Sequence, residues 1–123
     1  MPIITLTTDL GLKDHYVASV KGAILGQISD ISIVDITHNI EAFNISQTAY
    51  VIRNCYKNFP KGSIHILGVD AELSIDNSHL AVFSDGHYFI GADNGVFSLL
   101  FDELKAEKIV ELNISQNSDS LTF

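Results

Sequence analysis

The chain has a single cysteine, Cys55, among its 123 residues, which excludes an internal disulfide and leaves a thiolate metal cluster without ligands. A reducing, cytoplasmic setting is the simplest expectation. Basic residues are scarce as well: seven Lys and Arg stand against fifteen Asp and Glu, for a net charge of −8, and they form no cluster. Such a chain has little with which to neutralise phosphates, so neither nucleic acid nor an anionic membrane is an expected partner. Apolar runs are short; the one over 96–101 is interrupted by Ser98 and falls far below the length of a membrane span. The N-terminus shows no basic, apolar, then small-residue pattern of a secretory signal. Also missing are a P-loop, a dinucleotide fingerprint, a nucleophile elbow and a His-Glu-x-x-His segment. The five histidines share no ligand spacing, so no metal is expected.

What is present describes one ordinary globular domain. Hydrophobic residues make up 46% and charged residues 18%, enough for a real core at this length. A β-branched run over 3–7 reads as a strand. Apolar residues at helical spacing over 14–28 (Tyr16, Val17, Val20, Ala23, Ile24, Ile28) predict an amphipathic helix with Asp14 as its cap. A second strand over 31–36 and a second helix over 45–56 follow, the latter ended by Pro60-Lys61-Gly62. Cys55 falls in that helical pattern, where a small buried hydrophobe is the commoner role than a nucleophile. A third strand over 63–69 runs into Asp70, with His65 inside it in a core or cross-strand position. Strand alternating with helix twice over predicts an α/β fold, a mostly parallel sheet with helices on both faces in a Rossmann-like three-layer arrangement. Beyond it, Ser84-Asp85-Gly86-His87 between two short apolar runs predicts a β-hairpin. A helical piece over 96–104, a strand over 108–114 and a polar surface loop over 115–120 complete the pattern.

The strand ends carry the chemistry. In an open α/β sheet, ligands bind at the carboxyl ends of the strands, and parallel crossovers deliver Asp9, His38 and Asp70 to that edge. Asp9, following Ile3-Ile4-Thr5-Leu6-Thr7-Thr8, either begins a turn or meets a ligand. A carboxylate here can accept hydrogen bonds from two vicinal ribose hydroxyls. Thr7, Thr8, Phe43 and Asn94 lie beside these strand ends in the sequence pattern. An aromatic ring can pack on a base or a sulfonium, and a second carboxylate can orient or deprotonate water. The loop Gly91-Ala92-Asp93-Asn94-Gly95 is either a connector or a place where backbone approaches a ligand closely.

Five stretches taken together resemble one family. Thr7-Thr8-Asp9-Leu10-Gly11 with Asp14, Val34-Asp35-Ile36-Thr37-His38, Phe59-Pro60-Lys61-Gly62-Ser63-Ile64-His65, Val69-Asp70 and Gly91-Ala92-Asp93-Asn94-Gly95 are similar, in this order, to the S-adenosylmethionine hydroxide adenosyltransferases, relatives of the fluorinase and chlorinase. The resemblance implies hydrolysis of S-adenosyl-L-methionine to adenosine and L-methionine by attack of water or hydroxide on C5′, with no cofactor besides that substrate. It implies that Asp9 grips the ribose hydroxyls, that Phe43 packs near C5′, and that Asp70 orients water. Thr122 and Phe123 resemble a pair lining the pocket, and Thr8, Asp14 and Asn94 complete the implied substrate-binding set.

Two departures accompany it. Counted without gaps, the family's arginine that works with the aspartate falls on Asn77, which carries no charge. The family's smaller C-terminal β domain, which helps bind adenine across a trimer interface, would begin after Phe123, so residues 1–123 are expected to be the N-terminal α/β domain of a longer, homotrimeric protein. The alternatives are a non-catalytic nucleoside-binding module and, with a carboxylate at Asp70 where the fluorinase-like members carry tyrosine, a halide-using enzyme.

Overall fold

A computed structural model describes residues 2–69, 78–101 and 106–112. The Ile-Ile-Thr-Leu-Thr-Thr run forms β1 (Ile3–Thr8), as β-branched side chains favour extended backbone, and its last five residues are buried. Then come α1 (Tyr16–Gln27), β2 (Ser32–Thr37), α2 (Ile45–Cys55) with a single 3-10 turn (Tyr56–Asn58), β3 (Ile64–Gly68), β4 (His79–Ser84), β5 (His87–Ala92), α3 (Val96–Leu100) and β6 (Lys108–Leu112).

The six strands form one sheet in the order β2-β1-β3-β5-β4-β6. β1 pairs in parallel with β2 and β3, and β3 with β5. β4 is antiparallel to both of its neighbours. The sheet is therefore mixed, which corrects the expected mostly parallel, Rossmann-like arrangement. The reason is local. A two-residue loop can only reverse the chain, and Asp85 and Gly86 carry the positive φ values, 52° and 79°, of a tight hairpin turn. β6 then takes the free edge of β4.

Alternation along the strands divides the core in two. Ile4 and Leu6 face α1 and meet Val20, with Ile24, Ile33, Ile64 and Ile66 packed around them. On the other face Leu67, Val82 and Phe89 meet Ala49 and Ile52 of α2, Tyr56, and Val96, Phe97 and Leu100 of α3. α1 thus covers one face while α2 and α3 cover the other. The second helix is seen where expected and buries Thr48, Ala49 and Ile52, but the stripe on α1 is narrower than the sequence suggested. Val17 and Val20 are its buried residues, whereas Tyr16 and Ile28, at its two ends, are exposed. Asp14 is not the cap of α1. Helical bonding starts with the Ser19 amide donating to the His15 carbonyl at 2.9 Å, so Asp14 lies one residue too early and is exposed. At the start of α2 the cap is real: Asn44 Oδ1 accepts from the Gln47 amide at 2.9 Å. The helix expected over 96–104 is seen to Leu100 and the strand over 108–114 to Leu112.

Candidate functional site

Because β2, β1, β3 and β5 are mutually parallel, their carboxyl ends share one edge, and the residues just past them meet there. Asp9 is the first residue beyond β1 and is half-buried. Its flanks are tied to the end of β2. The Gly11 amide donates to the His38 carbonyl at 2.7 Å, and the Ile40 amide donates to the Thr8 carbonyl at 3.2 Å. Beneath them runs a chain of side chains. Thr8 Oγ1 lies 2.7 Å from His38 Nδ1, His38 Nε2 lies 2.7 Å from Asp35 Oδ1, and Lys21 Nζ donates to Asp35 Oδ2 at 2.6 Å. Burial pushes the Asp35 carboxyl upward, but the hydrogen bonds and charges of Lys21 and His38 outweigh it and hold the group below its usual range. His38 is only 2% exposed and Thr8 0%. The Thr8 hydroxyl is thus occupied inside the protein, by His38 and by the Leu10 amide at 3.2 Å.

On the other flank Asn94 follows β5. Its Nδ2 donates to the Val69 carbonyl at 2.9 Å and its Oδ1 accepts from the Val96 amide at 3.1 Å, so one side chain joins the end of β3 to the start of α3. The glycines of this loop have structural reasons. A Cβ at Gly91 would lie 3.0 Å from the Leu67 carbonyl oxygen, and Gly95 carries a φ of +100°, reserved in practice for residues without a side chain. Phe43 completes the edge between β2 and α2. It is 72% exposed and holds a φ of 64°, a conformation that costs a bulky residue energy. An aromatic ring presented to solvent from a strained backbone has no packing reason within the described residues.

The structure therefore brings Asp9, Thr8, Asn94 and Phe43 to the carboxyl edge, with Asp14 exposed in the loop that follows Asp9. Asp70, Asn77, Thr122 and Phe123 lie outside the described residues. The sequence pattern named His38 as an edge residue but missed its link through Thr8 to the Asp9 turn. The Asp-x-x-His spacing of Asp35 and His38 was the available signal, yet the partner across the strands depends on register. Thr7, one residue earlier on β1, has a buried hydroxyl with no hydrogen-bond partner among the described residues.

A second polar cluster sits at the opposite, amino edge. His65 Nδ1 is 2.7 Å from Thr5 Oγ1, and His65 Nε2 is 3.1 Å from His87 Nδ1, which confirms the core, cross-strand role expected of His65. Burial and then the charge of His87 push its pKa down to about 4. Nearby, the Tyr56 hydroxyl donates to Asp85 Oδ2 at 2.9 Å, and Lys61 Nζ donates to Asp85 Oδ1 at 3.0 Å. Burial, then the Asp85 hydrogen bond, pushes Tyr56 up to about 12. A cleft of about 480 Å³ opens here between Phe59, Lys61 and His87. Cys55 is half-buried and burial raises its thiol, as suits an inert core cysteine. Among the described residues no three His, Cys, Asp or Glu side chains converge as a metal site, and no helix is long and apolar enough to cross a membrane.

Residues 4–123 match the family described as the SAM hydroxide adenosyltransferase N-terminal domain. The chain belongs to this family. Among its relatives, an (R)-S-adenosyl-L-methionine hydrolase from Methanocaldococcus jannaschii is 34% identical across 100% of the chain and 48% of its own length. The chain thus spans about half of that relative. A fluorinase from Actinopolyspora mzabensis is 35% identical, but over 51% of this chain and 21% of its own length. The crystal structure of an uncharacterized conserved protein from Thermotoga maritima superposes with a TM-score of 0.81 and 31% identity, covering 89% of this chain and 42% of that one. The mixed α/β architecture is thus common to this chain and that protein.

Proposed function

We propose that this chain is the N-terminal part of an enzyme that hydrolyses S-adenosyl-L-methionine to adenosine and L-methionine. One observation carries the reading: similarity to the Methanocaldococcus hydrolase runs the whole length of the chain, whereas similarity to the fluorinase stops at about half. The carboxyl edge supports it with a carboxylate, an amide and an exposed aromatic ring of the kinds a nucleoside needs. Asp9 accepts hydrogen bonds from the two ribose hydroxyls, Phe43 lies against the C5′ region, Thr8 and Asn94 hold the loops around them, and Asp14, exposed in the loop after Asp9, completes the substrate-binding set. The family resemblance assigns the pocket-lining role to Thr122 and Phe123, which lie outside the described residues.

The reaction asks little covalent work of the protein. Water oxygen attacks C5′, the C5′–S bond breaks, its electron pair stays on sulfur to give the thioether of methionine, and the surplus water proton passes to a carboxylate, assigned to Asp70. The sulfonium is already a good leaving group, so alignment of water with the C5′–S axis supplies most of the acceleration. No further cofactor enters this balance. In its full-length form the enzyme is a cytoplasmic homotrimer on this reading, with neither nucleic acid nor membrane as a partner.

Incubating the full-length protein with S-adenosyl-L-methionine should release adenosine and methionine in equal amounts. No adenosine above background overturns the proposal. A second reading has one residue in its favour: Asn77, where the family resemblance places an arginine, suits a module that binds the nucleoside without turnover. Tight binding of adenosine with no product would establish it. Halide chemistry ranks lower, because a carboxylate at Asp70 opposes an anionic nucleophile; a 5′-halo nucleoside in excess of adenosine would reverse that ranking.

A further inference from the structure

We propose that His38, oriented by Asp35, is a positioning residue for Asp9, holding the 8–11 turn in the shape that presents the carboxylate to the ribose. This rests on the reading of Asp9 given above. The argument starts from what each atom can do. A carboxylate only accepts hydrogen bonds, so the 2.7 Å contact between His38 Nε2 and Asp35 Oδ1 places a proton on Nε2. In the neutral ring Nδ1 is then the acceptor, and the Thr8 hydroxyl, 2.7 Å away, donates to it. With its proton directed at His38, Thr8 Oγ1 turns lone pairs toward the Leu10 amide, which donates to it at 3.2 Å.

The same histidine acts through its backbone, accepting from the Gly11 amide at 2.7 Å, while the Thr8 carbonyl accepts from the Ile40 amide at 3.2 Å. Four hydrogen bonds therefore bracket Asp9, two on each side, and each involves Thr8 or His38. They lie at or just beyond the last β1–β2 register pair, Thr7 with Thr37, and the β1–β3 ladder ends at Thr8 opposite Gly68, so sheet pairing holds the turn only at its first residue. His38 and Thr8 are closed to solvent. They act on a ligand only by fixing Asp9. Lys21 in turn fixes Asp35 from the surface.

The test uses the full-length protein, with adenosine as the probe. In the wild type, the nitrogen NMR spectrum of His38 should show a protonated Nε2 and a bare Nδ1. Asp35→Ala, at a partly exposed position, should speed amide exchange at Leu10 and Gly11 selectively and weaken adenosine binding by about threefold to tenfold, the range of one hydrogen bond. The melting temperature should fall by several degrees, because the buried Nε2–H loses its acceptor, so binding is compared well below the transition. His38→Leu should weaken binding further, and His38→Asn, which restores a polar atom near the position of Nδ1, should recover part of the loss. Asp35→Ala keeps the question decidable if His38→Leu fails to fold. A proton on Nδ1 with Nε2 bare, unchanged exchange at Leu10 and Gly11 in Asp35→Ala, or wild-type affinity in His38→Leu overturns the inference. If the wild type binds neither adenosine nor S-adenosyl-L-methionine, the reading of Asp9 fails, and the tautomer and exchange rates still decide the positioning.

Discussion

Two histidine-centred networks hang on the same parallel strands, one at each end, and they differ in where they terminate. At the carboxyl end His38 meets a carboxylate, Asp35, which Lys21 neutralises at the surface. At the amino end His65 meets a second imidazole, His87, with Thr5 behind it. A neighbouring imidazole gives a charged ring no counter-charge, and the charge of His87 opposes one on His65. Burial therefore dominates at the amino end and pushes His65 down to about 4. His65 is also walled by aromatic rings, stacked on Phe89 with centroids 5.2 Å apart and edge-on to Tyr56 at 6.4 Å. The same residue type thus serves orientation at one end and packing at the other. Changes at the carboxyl edge should alter ligand binding more than stability, and changes at the amino edge the reverse.

The largest test of that division is Asp9→Ala. Two charge-assisted hydrogen bonds to the ribose are worth about 4 kcal/mol together, so adenosine affinity measured by calorimetry should fall on the order of a thousandfold. The urea midpoint should stay close to that of the wild type. A domain that unfolds instead would make Asp9 a structural cap and erase the contrast between the two ends.

Acid titration probes the other end. The unfolded chain protonates a histidine near the ordinary 6.5, while folded His65 holds out to about 4. Between those values the unfolded state binds a proton that the folded state does not, so this contribution to stability is whole above pH 6.5 and is lost as pH falls towards 4. Its size is about 3 kcal/mol. His65→Phe should flatten this part of a pH series of urea unfolding curves, although it leaves Thr5 and His87 without their partner and lowers stability at neutral pH. An unchanged slope would move the titration elsewhere.

Between the two networks on β1, Thr7→Val removes a buried hydroxyl without a hydrogen-bond partner among the described residues and keeps the shape. It should stabilise the domain by about 1 kcal/mol, read as a higher urea midpoint. A loss would mean that the hydroxyl has a use. The smallest effect belongs to Lys21→Ala, at the surface end of the carboxyl-edge chain. Both partners of its ion pair are about one-third exposed, so stability should fall by about 0.5 kcal/mol and the difference should fade in high salt.

Much of the architecture was legible because it is local. β-branched runs mark the strands, Asp85-Gly86 marks the hairpin, and the Ile45, Ala49, Ile52, Tyr56 stripe marks the buried face of α2. Parallel topology also led from the pattern to the shared edge where Asp9 and His38 meet. What escaped depends on pairing between distant residues. The place of β6 on the outer edge of β4 is a matter of which edge a strand joins, and no periodicity records that. Thr8 looked like a ligand contact because it adjoins Asp9, yet register turns its hydroxyl inward to His38. Asp14 fits the composition of a helix cap, but backbone bonding begins one residue later. His87 read as part of a turn, and only the β3–β5 pairing, which sets His65 opposite Phe89, brings its ring against that of His65.

The tight turn at Asp85 and Gly86 has a kinetic consequence. β4 and β5 are neighbours both in the sheet and along the chain, so closing them sacrifices little chain entropy, whereas β1 must wait for partners about thirty and sixty residues away. The hairpin is therefore the cheap seed onto which β3 can dock, and the carboxyl edge around Asp9, assembled from the distant pairings, is the late-maturing part of the molecule.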